Sequence, residues 1–278
     1  MKHGEPLGWR AELELGFIRR GEETVLARRR HAGPLAVQKP LYPEGEAVCH
    51  AIVLHPPAGI AGGDELRIGV EVEAGAQALL TTPGAGKWYR SDGRLARQGL
   101  EMKVSPGGTA EWLPQETIVF DGARAAMRTD VQLGAGARYL GWEILCLGRS
   151  ASGERFGRGS LQLSMRIARE GRLLWAEQGA LEGGSPWLDS AAGFAGCTVS
   201  ATLLAAGAPV DAALIAACRA IGTDADARCG VTALPDLVVA RWLGDSGEAA
   251  RDWLEGVWRH LRPAFIGREA QRPRIWNT

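Results

Sequence analysis

The sequence has 278 residues, a length that one large all-β domain or two smaller domains can fill, and its 32 basic residues balance 32 acidic ones. That balance excludes the basic footprint of a nucleic-acid or anionic-membrane binder and leaves a protein partner or a small ligand. Five scattered cysteines, Cys49, Cys146, Cys197, Cys218 and Cys229, never spaced C-x-x-C, fit a reducing compartment. The chain carries no apolar run of signal-peptide or membrane-span length, so a cytoplasmic location is expected.

Arg supplies 28 of the 32 basic residues, and Arg with Trp suits protein contacts better than Lys does. The 38 glycines favour tight turns and β structure. In chain order, Trp9, Ala11, Leu13, Leu15 and Phe17 alternate with Arg10, Glu12 and Glu14, the period of a half-buried strand. The same period returns at Leu66–Val72, Leu100–Val104, Thr129–Leu133 and Leu161–Ile167. Each run leads into a turn at Gly75, Gly107, Gly136 or Gly171, with a second apolar strand beyond it such as Ala78–Leu80 or Leu173–Trp175.

A turn recurring about every 30 residues predicts units that bury their faces by stacking on one another. The fold class expected is mainly β: a stacked, β-helix-like or two-layer β body over about residues 1–205. A plain meander of hairpins is the alternative. A small helical portion, about 206–278, completes one domain of residues 1–278. There Val210–Ile221 reads as a helix with Asp211 as its N-cap or first-turn acid, and Leu237–Ala240 as a short buried strand, a helical segment being the alternative for so short an apolar run. A longer helix starts at Ser246, carries Ala250, Trp253, Leu254, Val257, Trp258 and Leu261 on one face, and is expected to stop at Pro263.

Candidate chemistry is sparse. The Pro83–Trp88 segment fails as a phosphate loop, because Trp88 stands where Ser or Thr must reach a metal. Cys49, His50 and His55 are soft metal-ligand types, but strand alternation puts Cys49 and His55 on one face and His50 on the other. The alternative for His55 is packing on Pro56 and Pro57. Scattered acids Asp64, Glu116, Glu143, Glu154 and Glu177 sit in apolar or glycine-rich surroundings. Two of them, such as Glu116 and Glu143, would serve a β-solenoid hydrolase as paired carboxylates; the other reading is solvated or Arg-paired strand ends. The tail residues Arg274, Ile275 and Trp276 are candidate partner anchors, with Trp276 as a cap on the β core the alternative.

Several phrases, taken in order, resemble the urease accessory protein UreD (UreH) family: Leu41–Gly45, Cys49-His50, Leu54–Leu66, Leu80–Ser91, Glu111–Glu116, Trp142–Arg149 and the closing Pro273–Thr278. The resemblance covers nearly the whole chain. It implies a non-catalytic, largely β scaffold with C-terminal helices. It also implies three partners: a helical UreF-like accessory protein, a nickel-carrying UreG-like GTPase and the urease apoprotein. No tightly bound cofactor is expected, only nickel in transit through an internal channel. On that reading Asp64, Glu143 and Glu177 are the route candidates, with Glu116, Glu154, Cys49, His50 and His55 as weaker ones.

Overall fold

The computed structural model describes residues 8–277; residues 1–7 and Thr278, which the sequence reading includes in the same domain, lie outside them. Strand accounts for 49% of the chain and helix for 14%, so the fold is mainly β. In chain order the strands are β1 (Arg10–Arg20), β2 (Glu23–Ala32), β3 (Ala36–Val37), β4 (Val48–Leu54), β5 (Glu65–Val72), β6 (Gln77–Thr81), β7 (Gly86–Trp88) and β8 (Ala96–Val104). They continue as β9 (Thr109–Leu113), β10 (Thr117–Val119), β11 (Arg124–Leu133), β12 (Arg138–Leu147), β13 (Ser160–Arg169), β14 (Arg172–Glu182) and β15 (Val199–Ala206). Helix α1 (Ala212–Arg219), β16 (Arg228–Leu234), β17 (Leu237–Gly244) and α2 (Gly247–Ile266) close the chain.

Two sheets stack face to face. One has the order β14-β13-β11-β8-β5-β1-β2, the other β16-β17-β15-β12-β9-β6-β4-β3. Successive strands alternate between them: β5, β8 and β11 pair in parallel in the first sheet, and β6, β9 and β12 in the second. The turns at Gly75, Gly107 and Gly136 therefore carry the chain across from one sheet to the other, and the coils stack as in a solenoid. Those three glycines take positive φ, between 65° and 70°, which glycine adopts without a Cβ penalty. Adjacent coils also bond turn to turn, as where Gly107 N–H donates to Ala135 C=O at 3.0 Å. Of these four recurrent turns, that at Gly171 alone closes a hairpin, between β13 and β14.

The strand patterns follow from this stacking. Leu13, Leu15 and Phe17 of β1 face the second sheet and are buried, while Glu12 and Glu14 face outward. β12 is covered on both faces and reads as a nearly continuous apolar run, as parallel strands between two layers do. Its odd-numbered residues, such as Tyr139 and Leu145, join the core between the sheets. Its even-numbered ones, Leu140, Trp142 and Ile144, join a second core formed with the helices.

The C-terminal portion is less helical than its composition suggests, because the β16–β17 hairpin extends the second sheet between the two helices. Asp211 and Ser246 cap the helices, each accepting from the backbone N–H three residues on. α2 does not stop at Pro263: it runs on to Ile266, where Gly267 at φ 75° ends it. Proline forfeits one helical hydrogen bond, but the extra turn buries Phe265 and Ile266, which offsets that loss.

Candidate functional site: an inter-sheet cavity lined by carboxylates

A cavity of about 1270 Å³ lies largely between the sheets. His55, Lys87 and Glu116 line one part of it, and Glu177, Trp187 and Arg241 another. Space opens where inward positions lack bulk. Gly179 of β14 and Gly230 of β16 both line it; a Cβ on Gly230 would meet no atom within 4 Å, and one on Gly179 only Leu163 Cβ at 3.9 Å.

Glu143, on β12, sits on an inward position of this wall. Antiparallel pairing aligns it with Thr202 of β15, and Thr202 with Arg241 of β17, so the three form one polar row across the second sheet. From the opposite sheet Glu177 of β14 faces this row, and Arg241 donates to its carboxylate at 2.7 Å. Burial, with the charge of Glu177 adding to it, pushes the Glu143 carboxyl up to about 7. A carboxylate that faces open space inside the protein, beside a like charge, behaves this way.

The other sequence candidates are distributed around the molecule. Glu116 lines the cavity but is held by an ion pair to Arg251 of α2. His55 also lines it, with a buried Nε2 that has no hydrogen-bond partner; burial pulls its imidazole below the usual value, against the nearby charge of Asp64. Asp64 does not line the cavity. Its two carboxylate oxygens accept from the Trp9 and Ala61 N–H groups, each at 2.8 Å, so it holds a turn together. Glu154 is paired with Arg149 at 2.6 Å near the surface, and that Arg149 bond holds its carboxyl below the usual carboxylate range. Cys49 points into the core between the sheets, where burial pushes its thiol up. His50 points the other way, as alternation requires. Among the described residues, no group of three or more His, Cys, Asp or Glu side chains is placed to hold a metal ion.

The tail is placed differently from a surface anchor. Trp276 is buried, its indole N–H donates to Thr81 Oγ1 at 2.7 Å, and its ring lies 5.4 Å from Trp142 and 5.9 Å from Trp258. Of the two readings offered for Trp276, partner anchor and cap, the ring's place inside this aromatic cluster is that of a cap. Ile275 is half-buried and Arg274 faces outward.

One constellation escaped sequence reasoning. Arg262 of α2, fully buried, bonds Glu111 of β9 and Glu44 of the β3–β4 loop; its Nη1 and Nη2 reach Glu44 at 2.6 and 2.8 Å, and its Nη2 reaches Glu111 at 3.0 Å. His50 Nε2 lies 2.6 Å from Glu44, and Trp258 donates to Glu111 at 2.7 Å. Desolvation pushes the Glu44 carboxyl up, but its bonds to His50 and Arg262 prevail and hold it below its usual value. The available signal was an acid inside the otherwise apolar-facing run Thr109–Leu113 and an arginine beside the apolar stripe of the last helix.

Comparison with known proteins places these features in a family context. A family model described as UreD urease accessory protein matches residues 10–277. A protein of Dechloromonas aromatica called urease accessory protein UreD is 58% identical over 273 residues, covering 97% of this chain and 95% of the relative. Proteins of the same name from Azoarcus sp. and Nitrosococcus oceani are each 53% identical, covering 99% and 98% of this chain and 96% and 92% of the relatives.

Proposed function

The chain belongs to the UreD family of urease accessory proteins, and from that premise we propose that it is a non-catalytic scaffold that guides nickel into apo-urease. Nickel is cargo here, not a resident cofactor. The observation that carries this reading is the half-buried carboxylate of Glu143, which lines the inter-sheet cavity with Glu177 nearby. Oxygen ligands that are few and dispersed replace part of an ion's hydration without trapping it, and passage needs binding weak enough for release. Glu116 and His55, whose buried Nε2 has no hydrogen-bond partner among the described residues, offer further contacts in the same cavity. The protein works in the cytoplasm with a helical UreF-like accessory partner, a nickel-carrying UreG-like GTPase and the urease apoprotein. The helical portion with Arg274 and Ile275 is the surface assigned to the helical partner. Among the described residues, no helix is long and apolar enough to cross a membrane.

The test is nickel-dependent activation of apo-urease by the complete accessory complex carrying Glu143→Gln and Glu177→Gln together. Asp64 is left out because its loss would disturb a turn. Slower activation with intact assembly and an unchanged order of complex formation is expected; activation at the wild-type rate would sink the route.

A further inference from the structure

Arg241 occupies an unusual place on the cavity wall. It rises from β17 of the second sheet, and its partner Glu177 stands on β14 of the first, so their 2.7 Å contact ties the two sheets together at the edge of the cavity. The guanidinium also lies 5.8 Å from the ring of Trp175, another β14 residue. Both side chains remain partly open to solvent, 51% for Arg241 and 39% for Glu177, so the contact lies at a mouth and not deep within the wall. Glu143 lies along the same row, one strand beyond Thr202. Its carboxylate, half-buried on the cavity wall, has no hydrogen-bond or ion-pair partner among the described residues.

At this mouth Arg241 bonds the carboxylate of Glu177 and leaves that of Glu143 without a bond from it. An exposed Arg–carboxylate pair is weakly held, so it opens readily. A displaced guanidinium keeps a favourable position over the Trp175 face. We propose that Arg241 is a displaceable counter-ion: it holds Glu177 while the mouth is empty and swings away when a divalent cation takes its place between Glu177 and Glu143. This rests on the nickel-route reading and adds to it a residue that sets when the mouth admits an ion. Monovalent cations, with half the charge, compete less well with the guanidinium, so Arg241 also sets a threshold against them.

The experiment titrates Ni²⁺ calorimetrically into the full-length protein and its Arg241→Gln, Arg241→Lys and Glu143→Gln variants, each checked for native circular dichroism. Arg241→Gln is expected to bind Ni²⁺ roughly fivefold more tightly than wild type, the scale of one lost exposed ion pair. Arg241→Lys, which keeps the charge, is expected to stay near wild type, and Glu143→Gln to bind more weakly. Arg241→Gln no tighter than Arg241→Lys overturns the counter-ion role. If Glu143→Gln is weakened in that same series, the nickel route itself stands. If neither Glu143→Gln nor Arg241→Gln alters binding, and the Glu143/Glu177 double variant activates urease normally, both readings fall. A second measurement reads the wild-type protein itself: the side-chain Nε–H resonance of Arg241, assigned by its absence in natively folded Arg241→Lys, should shift on adding Zn²⁺ as a diamagnetic stand-in. An unmoved resonance at saturating Zn²⁺ also overturns the proposal.

Discussion

At the scale of single residues, Glu143 is where function and stability pull apart. Its carboxyl is raised from the ordinary carboxylate value to about 7 by burial and by Glu177. A group with a raised folded pKa binds its proton more tightly in the native state than in the unfolded chain. Stability therefore falls as pH rises from about 4.5 to about 7, and the loss is complete above that range. At 1.36 kcal/mol per pKa unit, the ceiling on that loss is about 3 kcal/mol. Glu143→Gln carries no charge and should remove the penalty. In metal-free buffer the variant is expected to melt above wild type at pH 8 and with it at pH 4.5, read from thermal unfolding. A variant that melts at or below wild type at pH 8 would mean that the carboxylate is solvated or paired in the native protein. Glu154 provides the contrast, since its bond to Arg149 lowers the carboxyl instead.

At the scale of elements, α2 is joined to the β body by more than its apolar stripe. Trp253, Leu254, Val257, Trp258 and Leu261 pack onto the second sheet as the 3.6-residue period foretold. Arg262, next along the helix, reaches through this layer to Glu111 and Glu44. Periodicity marks an apolar face and is silent about a charge placed at its border, so the ion cluster was illegible although the helix was plain. Breaking such a cluster on one side strands its partners. Arg262→Met leaves two buried carboxylates without their cation and should cost on the order of 3–5 kcal/mol. Neutralising the partners as well, in an Arg262→Met, Glu111→Gln, Glu44→Gln variant, should recover much of that. Chemical denaturation of both variants checks this: equal midpoints would show that repulsion between the stranded carboxylates is not the source of the loss. The β13–β14 element teaches a related lesson. Gly171 looks in sequence like Gly75, Gly107 and Gly136, yet it alone reverses the chain within one sheet, because the direction of a turn is decided by which sheet covers the next strand.

For the whole molecule, alternation and glycine spacing made the stacked β body readable, and the family phrases made its kinship readable. The cavity was not, since it arises from positions on different strands, Gly179 and Gly230 among them, that come together only on folding. Glu143 and Glu177 were legible as acids in apolar surroundings; that they line one cavity, and that Asp64 does not join them, depends on strand register. The same register makes the ten-stranded sheet a shared wall, with one core against the first sheet and another against the helices. β12 contributes alternate side chains to both, so the two cores should not melt separately. Trp276 probes this coupling: its ring fills the second core between Trp142 and Trp258, and its N–H is bonded to Thr81. Thr81 in turn donates to Leu113 C=O at 2.5 Å, joining the tail to the edges of β6 and β9. Truncating a buried Trp to Ala costs about 3–5 kcal/mol through lost burial and the cavity left behind. With a shared sheet, Trp276→Ala should lower one common transition, seen at the same temperature by far-ultraviolet circular dichroism, which follows the β body, and by tryptophan fluorescence, which follows the aromatic cluster. Arg274→Ala, outside the core, should leave that temperature unchanged. If the fluorescence transition of Trp276→Ala drops while the circular-dichroism transition stays at the wild-type temperature, the helical layer unfolds by itself and the shared wall does not couple the two cores.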